Sequence, residues 1–129
     1  MAIRQKPLSY NPVVAIHILR RKASRKQVAE MSEMFGTFIK LAVDIKREIL
    51  AGGGELHADC EQALLDDGSE QADIWGADWD PQTATVTFES LINIRPRQHN
   101  RKLEIQDPKR RETIEHVVRA LFEGDADDA

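Results

Sequence analysis

The sequence predicts an α+β domain in two layers, a mostly antiparallel sheet with two amphipathic helices packed on one face. Three observations carry this expectation. Residues 24–36 and 107–124 repeat apolar side chains at helical spacing. Residues 37–46 and 85–94 instead alternate apolar and polar side chains with a period of two. Turn residues separate these stretches, among them three consecutive glycines at 52–54. If both helices cover one side of the sheet, the other side is expected to be polar. A length of 129 residues suits one domain with a real core.

In chain order, residues 1–12 are polar and basic with two prolines and read as a flexible arm, so the folded domain is expected at 13–123. Val13–Leu19 is short and β-branched, a strand. Ser24 and Gln27 have the spacing of a capping box, in which each side chain satisfies the other residue's backbone donor. Val28, Met31, Met34 and Phe35 then form one helical stripe, and Gly36 supplies a left-handed stop. Ile39, Leu41, Val43 and Ile45 share one face of the next strand, opposite Lys40, Ala42, Asp44 and Lys46. Gly52–Gly54 suits a hairpin turn joining Glu48–Ala51 to a strand at Glu55–Cys60.

The stretch "ALLDDGS" reads as a helical turn ending at Gly68. Ile74–Trp79 is a further strand, "DPQT" a turn, and Thr85–Ile94 the clearest strand of all. Asp107 then caps a helix with Pro108 in its first turn. Ile114, Val117, Val118, Leu121 and Phe122 give it an apolar stripe. Gly124 ends the helix, and residues 124–129 read as a disordered acidic tail.

Composition narrows the function classes. No apolar run approaches the roughly 20 residues of a membrane span or forms a secretory leader. Cys60 stands alone and argues for no oxidising compartment, so a cytoplasmic protein without a membrane partner is expected. The net charge of −4 conceals segregation. Residues 1–26 hold seven Lys or Arg and no acid; residues 48–94 hold eleven acids and no Lys or Arg. Residues 95–111 are again basic, seven cations against two acids. Such blocks either attract an anionic partner or pair within the fold or between copies, which leaves a homo-oligomer or a protein partner open.

Two constellations could carry chemistry. In "GGGELHADCEQ", Glu55, His57, Asp59 and Glu61 occupy alternate positions. On a strand, side chains two apart lie about 6–7 Å from one another on one face. Glu55, His57 and Asp59 are therefore candidate ligands for a divalent metal such as Mn²⁺ or Zn²⁺, with His57 and Asp59 the candidates for acid–base catalysis. A third ligand from Asp44, Asp78 or Glu89 would need strand order to bring it near. The opposing reading is a solvated polar face. In "NIRPRQHNR", Arg95 and Arg101 with Asn93 and Asn100 are candidate anion ligands, because guanidinium groups bind phosphate or carboxylate in bidentate fashion. The competing reading pairs Arg95 with an acid such as Glu89 or Asp59.

Trp75 and Trp79 point the same way on a strand, either into the core or as a stacking platform. Nucleophilic catalysis finds little support, since Ser69 and Ser90 lack a GxSxG context and Cys60 falls on an apolar side.

The motifs GELHAD at 54–59, LLDDGS at 64–69, WG at 75–76, SLINIRPRQHNR at 90–101 and QDP at 106–108 occur in order. They resemble a family of small prokaryotic proteins classed as a domain of unknown function, over about residues 16–123. The resemblance implies no activity. The family pattern has glycine where this chain has His99 and serine where it has Lys102, which moves weight from His99 toward Arg95, Asn100 and Arg101. Three readings follow. The leading one is a module binding an anionic ligand, nucleotide or nucleic acid, beside the Glu/His/Asp strand; the others are a protein-interaction domain and a metal-assisted hydrolase.

Overall fold

The computed structural model describes residues 16–123. The expected arm at 1–12, the start of the first strand at 13–15 and the tail at 124–129 lie outside the described residues. Eight elements follow in order: β1 (His17–Leu19), α1 (Arg25–Met31), β2 (Ile39–Asp44), β3 (Ile49–Gly52), α2 (His57–Asp66), β4 (Ile74–Asp80), β5 (Thr85–Thr87) and α3 (Pro108–Phe122). The strands form one antiparallel sheet in the order β1-β3-β2-β4-β5, so the fold is α+β as expected.

Local chemistry starts two of the helices where the sequence placed them. Ser24 Oγ accepts from the Gln27 amide at 3.1 Å, and Gln27 Oε1 accepts from the Ser24 amide at 3.0 Å, closing the capping box of α1. Asp107 accepts from the Lys109 amide at 3.0 Å at the start of α3. One face of the sheet, formed by Ile39, Leu41, Val43, Leu50, Trp75 and Trp79, packs on Met31 of α1 and the α3 stripe. The tryptophans are therefore core residues. Burying side chains of this size contributes about 1.5–3 kcal/mol each.

Four expectations are corrected. Residues 55–60 do not form a strand, and the opposite face of the sheet is not polar throughout. Helix α2 starts at His57 and lays Cys60 and Leu64 on Ala42, Ile49, Ala51 and Ile74, forming a second apolar cluster. The short side chains of Ala42 and Ala51 leave room for the helix, and Asp59 Oδ2 accepts from the Leu56 amide at 3.2 Å to start it. The glycine run leads out of β3 into this helix, with Gly53 at φ 104°, and the hairpin turn lies instead at 45–48. There Asp44 Oδ1 accepts from the Lys46 and Arg47 amides, each at 2.9 Å.

The strand expected at 85–94 stops at Thr87. Ser90 Oγ accepts from the Ile92 amide at 3.2 Å, and residues 91–93 coil into a single 3₁₀ turn. Side-chain bonding of this kind diverts the backbone from a ladder.

Candidate functional site at the arginine loop

Residues 88–105 run past the Ile74 end of β4 on their way to α3. Two asparagines fix their path. Asn93 is fully buried; its amide nitrogen donates to the carbonyls of Gly76, Phe88 and Leu103 at 3.1, 3.2 and 3.2 Å, and its oxygen accepts from the Gly76 amide at 2.8 Å. Asn100, also buried, donates to the carbonyls of Asn93, Lys102 and Glu104 and accepts from the Gln106 amide at 2.7 Å. Each amide thus supplements backbone pairing that is limited to isolated bridges, Glu89 with Glu104 and Arg95 with Asn100.

Arg95 joins this scaffold. Its guanidinium donates to the carbonyls of Ile92 at 3.0 Å, Gln71 at 2.7 Å and Ile74, and to Gln98 Oε1 at 3.3 Å. It lies 3.5 Å from Glu61 and 4.5 Å from the centre of the Trp75 ring. Arg110 of α3 lies 4.2 Å from the same ring. Burial holds the Arg95 pKa below its usual value, Glu61 opposing this and Arg110 adding to it. The expected internal pairing occurs, with Glu61 as the partner rather than Glu89 or Asp59.

The side chains of Asn93, Asn100 and Arg95 thus face inward, whereas Arg101 is exposed. Its backbone amide donates to Gln106 Oε1 at 2.8 Å, while its guanidinium, like the side chains of Arg97 and Lys102, meets no partner among the described residues. The outer side of the loop and the α2 side chain Glu61 enclose a recess of about 660 Å³, lined also by Gln71, Leu91, Ile94, Pro96 and Arg97. Leu91 is 77% exposed, Ile94 43% and Leu103 44%. Sequence reasoning missed these three. An outward apolar residue in a loop looks like strand alternation until the strand is known to end.

His57 sits elsewhere. It opens α2, and its Nε2 donates to Asp78 Oδ1 at 2.8 Å, with the Ala77 carbonyl at 3.2 Å. Strand order thus brings Asp78 to His57, while Asp59 faces back to its own helix start and Glu55 is exposed. Glu55 precedes the helix, and residues 57 and 59 on it do not share one face, which removes the geometry that suggested a ligand row. Among the described residues no three His, Cys, Asp or Glu side chains group to hold a metal ion. His57 does not line the recess that Arg95 lines: Arg95 meets Ile74 at the start of β4, whereas His57 meets Ala77 and Asp78, three and four residues further along the strand. The Cys60 thiol is buried, donates to the Lys40 carbonyl at 3.5 Å, and is pushed up to about 12 by burial. A thiol in that state is no nucleophile.

A small α+β domain whose polar loop is pinned by buried asparagines is the class that fold and site define. The family model described as "Protein of unknown function (DUF5674)" matches residues 17–121, and the chain belongs to that family. Comparison with curated proteins and with solved structures finds no match.

Proposed function

We propose that this protein is a small interaction module whose arginine loop docks an extended partner segment carrying carboxylates beside aliphatic side chains. One observation carries the reading. Of the four large apolar side chains exposed among the described residues, Leu91, Ile94 and Leu103 lie in this one loop. The stretch 90–103 that holds them has four cations and no acid. Clustered exposed apolar groups with a charged rim mark a contact surface.

The anionic ligand expected from the sequence is kept in this reading, but as a carboxylate met by Arg97, Arg101 and Lys102. Asn93, Asn100 and Arg95 hold the loop in shape, so little ordering opposes association. A nucleotide fits the recess less well, because Trp75 and Trp79 are buried and no aromatic ring lines it. Panning a random-peptide display library over the immobilised full chain tests the proposal. Enrichment of acidic–aliphatic sequences, lost on a Leu91→Ser/Arg97→Glu variant, is expected. Enrichment that survives this variant, or none at all, contradicts it.

A further inference from the structure

We infer that the recess between β1 and α1 is a second binding site, one that takes the phosphodiester backbone of nucleic acid. This inference is independent of the arginine loop. The recess measures about 610 Å³ and is lined by Arg20, Arg21, Lys22, Ser24, Lys26 and Gln27 with Ile18 and Leu19; no carboxylate lines it. It falls on the β1 edge of the sheet, the edge opposite β5.

The backbone that presents these cations is fixed. The Ala23 amide donates to the Leu121 carbonyl at 2.9 Å, and the Ser24–Gln27 capping box follows at once. Arg20 is held by Asp67 at 2.6 Å, which Arg47 also meets at 2.8 Å; the hydrogen bonds from these guanidinium groups hold the Asp67 carboxyl below its usual range. Arg21, Lys22 and Lys26 meet no acid among the described residues, although the chain carries more acids than bases. Three unpaired cations on a fixed concave frame repel one another, and a row of phosphates relieves that repulsion.

The shape of the site selects the polyanion. The charges are spread over seven residues, 20–26, around a recess of about 610 Å³, so they face several phosphates rather than one. A membrane surface would call for apolar side chains to insert, and none of the large apolar residues exposed among the described residues lies here. Helix α1 has only seven residues and no exposed aromatic ring lines the recess, so bases are not read. Contacts to phosphate alone position a protein without specifying sequence. Binding is therefore sequence-independent.

Fluorescence anisotropy of the full chain with two labelled duplexes of about 20 base pairs and unrelated sequence is the test. Three phosphate contacts give a salt slope of about −2.7, hence about 40-fold weaker binding at about 200 mM than at about 50 mM salt. Equal affinity for both duplexes is expected. Arg21→Glu/Lys22→Glu/Lys26→Glu should abolish binding, and Arg21→Gln/Lys22→Gln/Lys26→Gln, which spares the fold from added acids, should flatten the salt slope. Arg97→Glu/Arg101→Glu should leave binding intact. No binding by about 100 µM, a flat salt response in the unaltered chain, an unaffected Gln variant, or attachment to anionic vesicles without duplex binding would each overturn the inference.

Discussion

At the scale of single residues, Asn93 is the decisive side chain. Replacing it with alanine leaves the Gly76 amide and carbonyl without that partner in a buried place, and takes a second donor from the Phe88 and Leu103 carbonyls, which still accept from the Ile105 and Ser90 amides. Each buried polar group left unsatisfied costs about 1–3 kcal/mol, so Asn93→Ala should destabilise by about 3–5 kcal/mol in urea unfolding. Asn93→Asp should do no better, because it sets a carboxylate against three carbonyls. Asn93 was legible in the sequence only as a polar residue near arginines. Nothing in one sequence distinguishes an amide that faces a ligand from one that supplements sparse backbone pairing.

His99 shows the converse. It adopts φ 62°, a left-handed conformation that glycine takes freely. His99→Gly should leave the melting temperature unchanged or raised. Cys60 supplies a pH dependence. Its neutral thiol is favoured in the fold, with a pKa raised from 9.0 to about 12. Stability from this group is complete below pH 9 and lost as pH rises through that window, at about 1.4 kcal/mol per pH unit. Alkaline urea titrations check this, and Cys60→Ala should remove the slope while lowering the plateau.

Among elements, α1, β2, β4 and α3 were legible because a capping box, a period of two or a long apolar stripe announces each. Helix α2 was not. Its first residues alternate polar and apolar as a strand would, and the helical spacing of His57, Cys60 and Leu64 emerges only over two turns. The end of β5 was hidden for a different reason: Thr85–Ile94 has strand alternation, but Ser90 and Asn93 spend their side chains on the backbone. A close approach enforces the same bend. A Cβ added at Gly76 would lie 2.5 Å from Ser90 Cβ and 2.7 Å from its Oγ. Gly76→Ala should therefore cost about 1–3 kcal/mol, and Ser90→Gly in the same chain should recover part of it. No recovery would mean that the packing of β4 on this loop is not the cause.

For the whole molecule, the segregated charge in the sequence proved to be partly an internal matter: Arg95 meets Glu61, and Arg20 and Arg47 share Asp67. Cations that meet no acid among the described residues include Arg97, Arg101 and Lys102 of the arginine loop and Arg21, Lys22 and Lys26 at the β1 edge. The candidate site was legible as a location, since "NIRPRQHNR" does form one structural unit, but the residues with outward chemistry are Leu91, Ile94, Arg97 and Arg101 rather than the asparagines. The side chains of Leu91, Arg97 and Arg101 are exposed, so changing them should alter stability by less than about 0.5 kcal/mol. Loss of docking in such variants would then report contact and not unfolding.

Calorimetric titration of the full chain with one acidic–aliphatic peptide selected against it is the most direct measurement. Saturable binding is expected, weakened at least tenfold, about 1.4 kcal/mol, by Leu91→Ser/Arg97→Glu with an unchanged melting temperature. Equal affinity for the variant and the unaltered chain would contradict it.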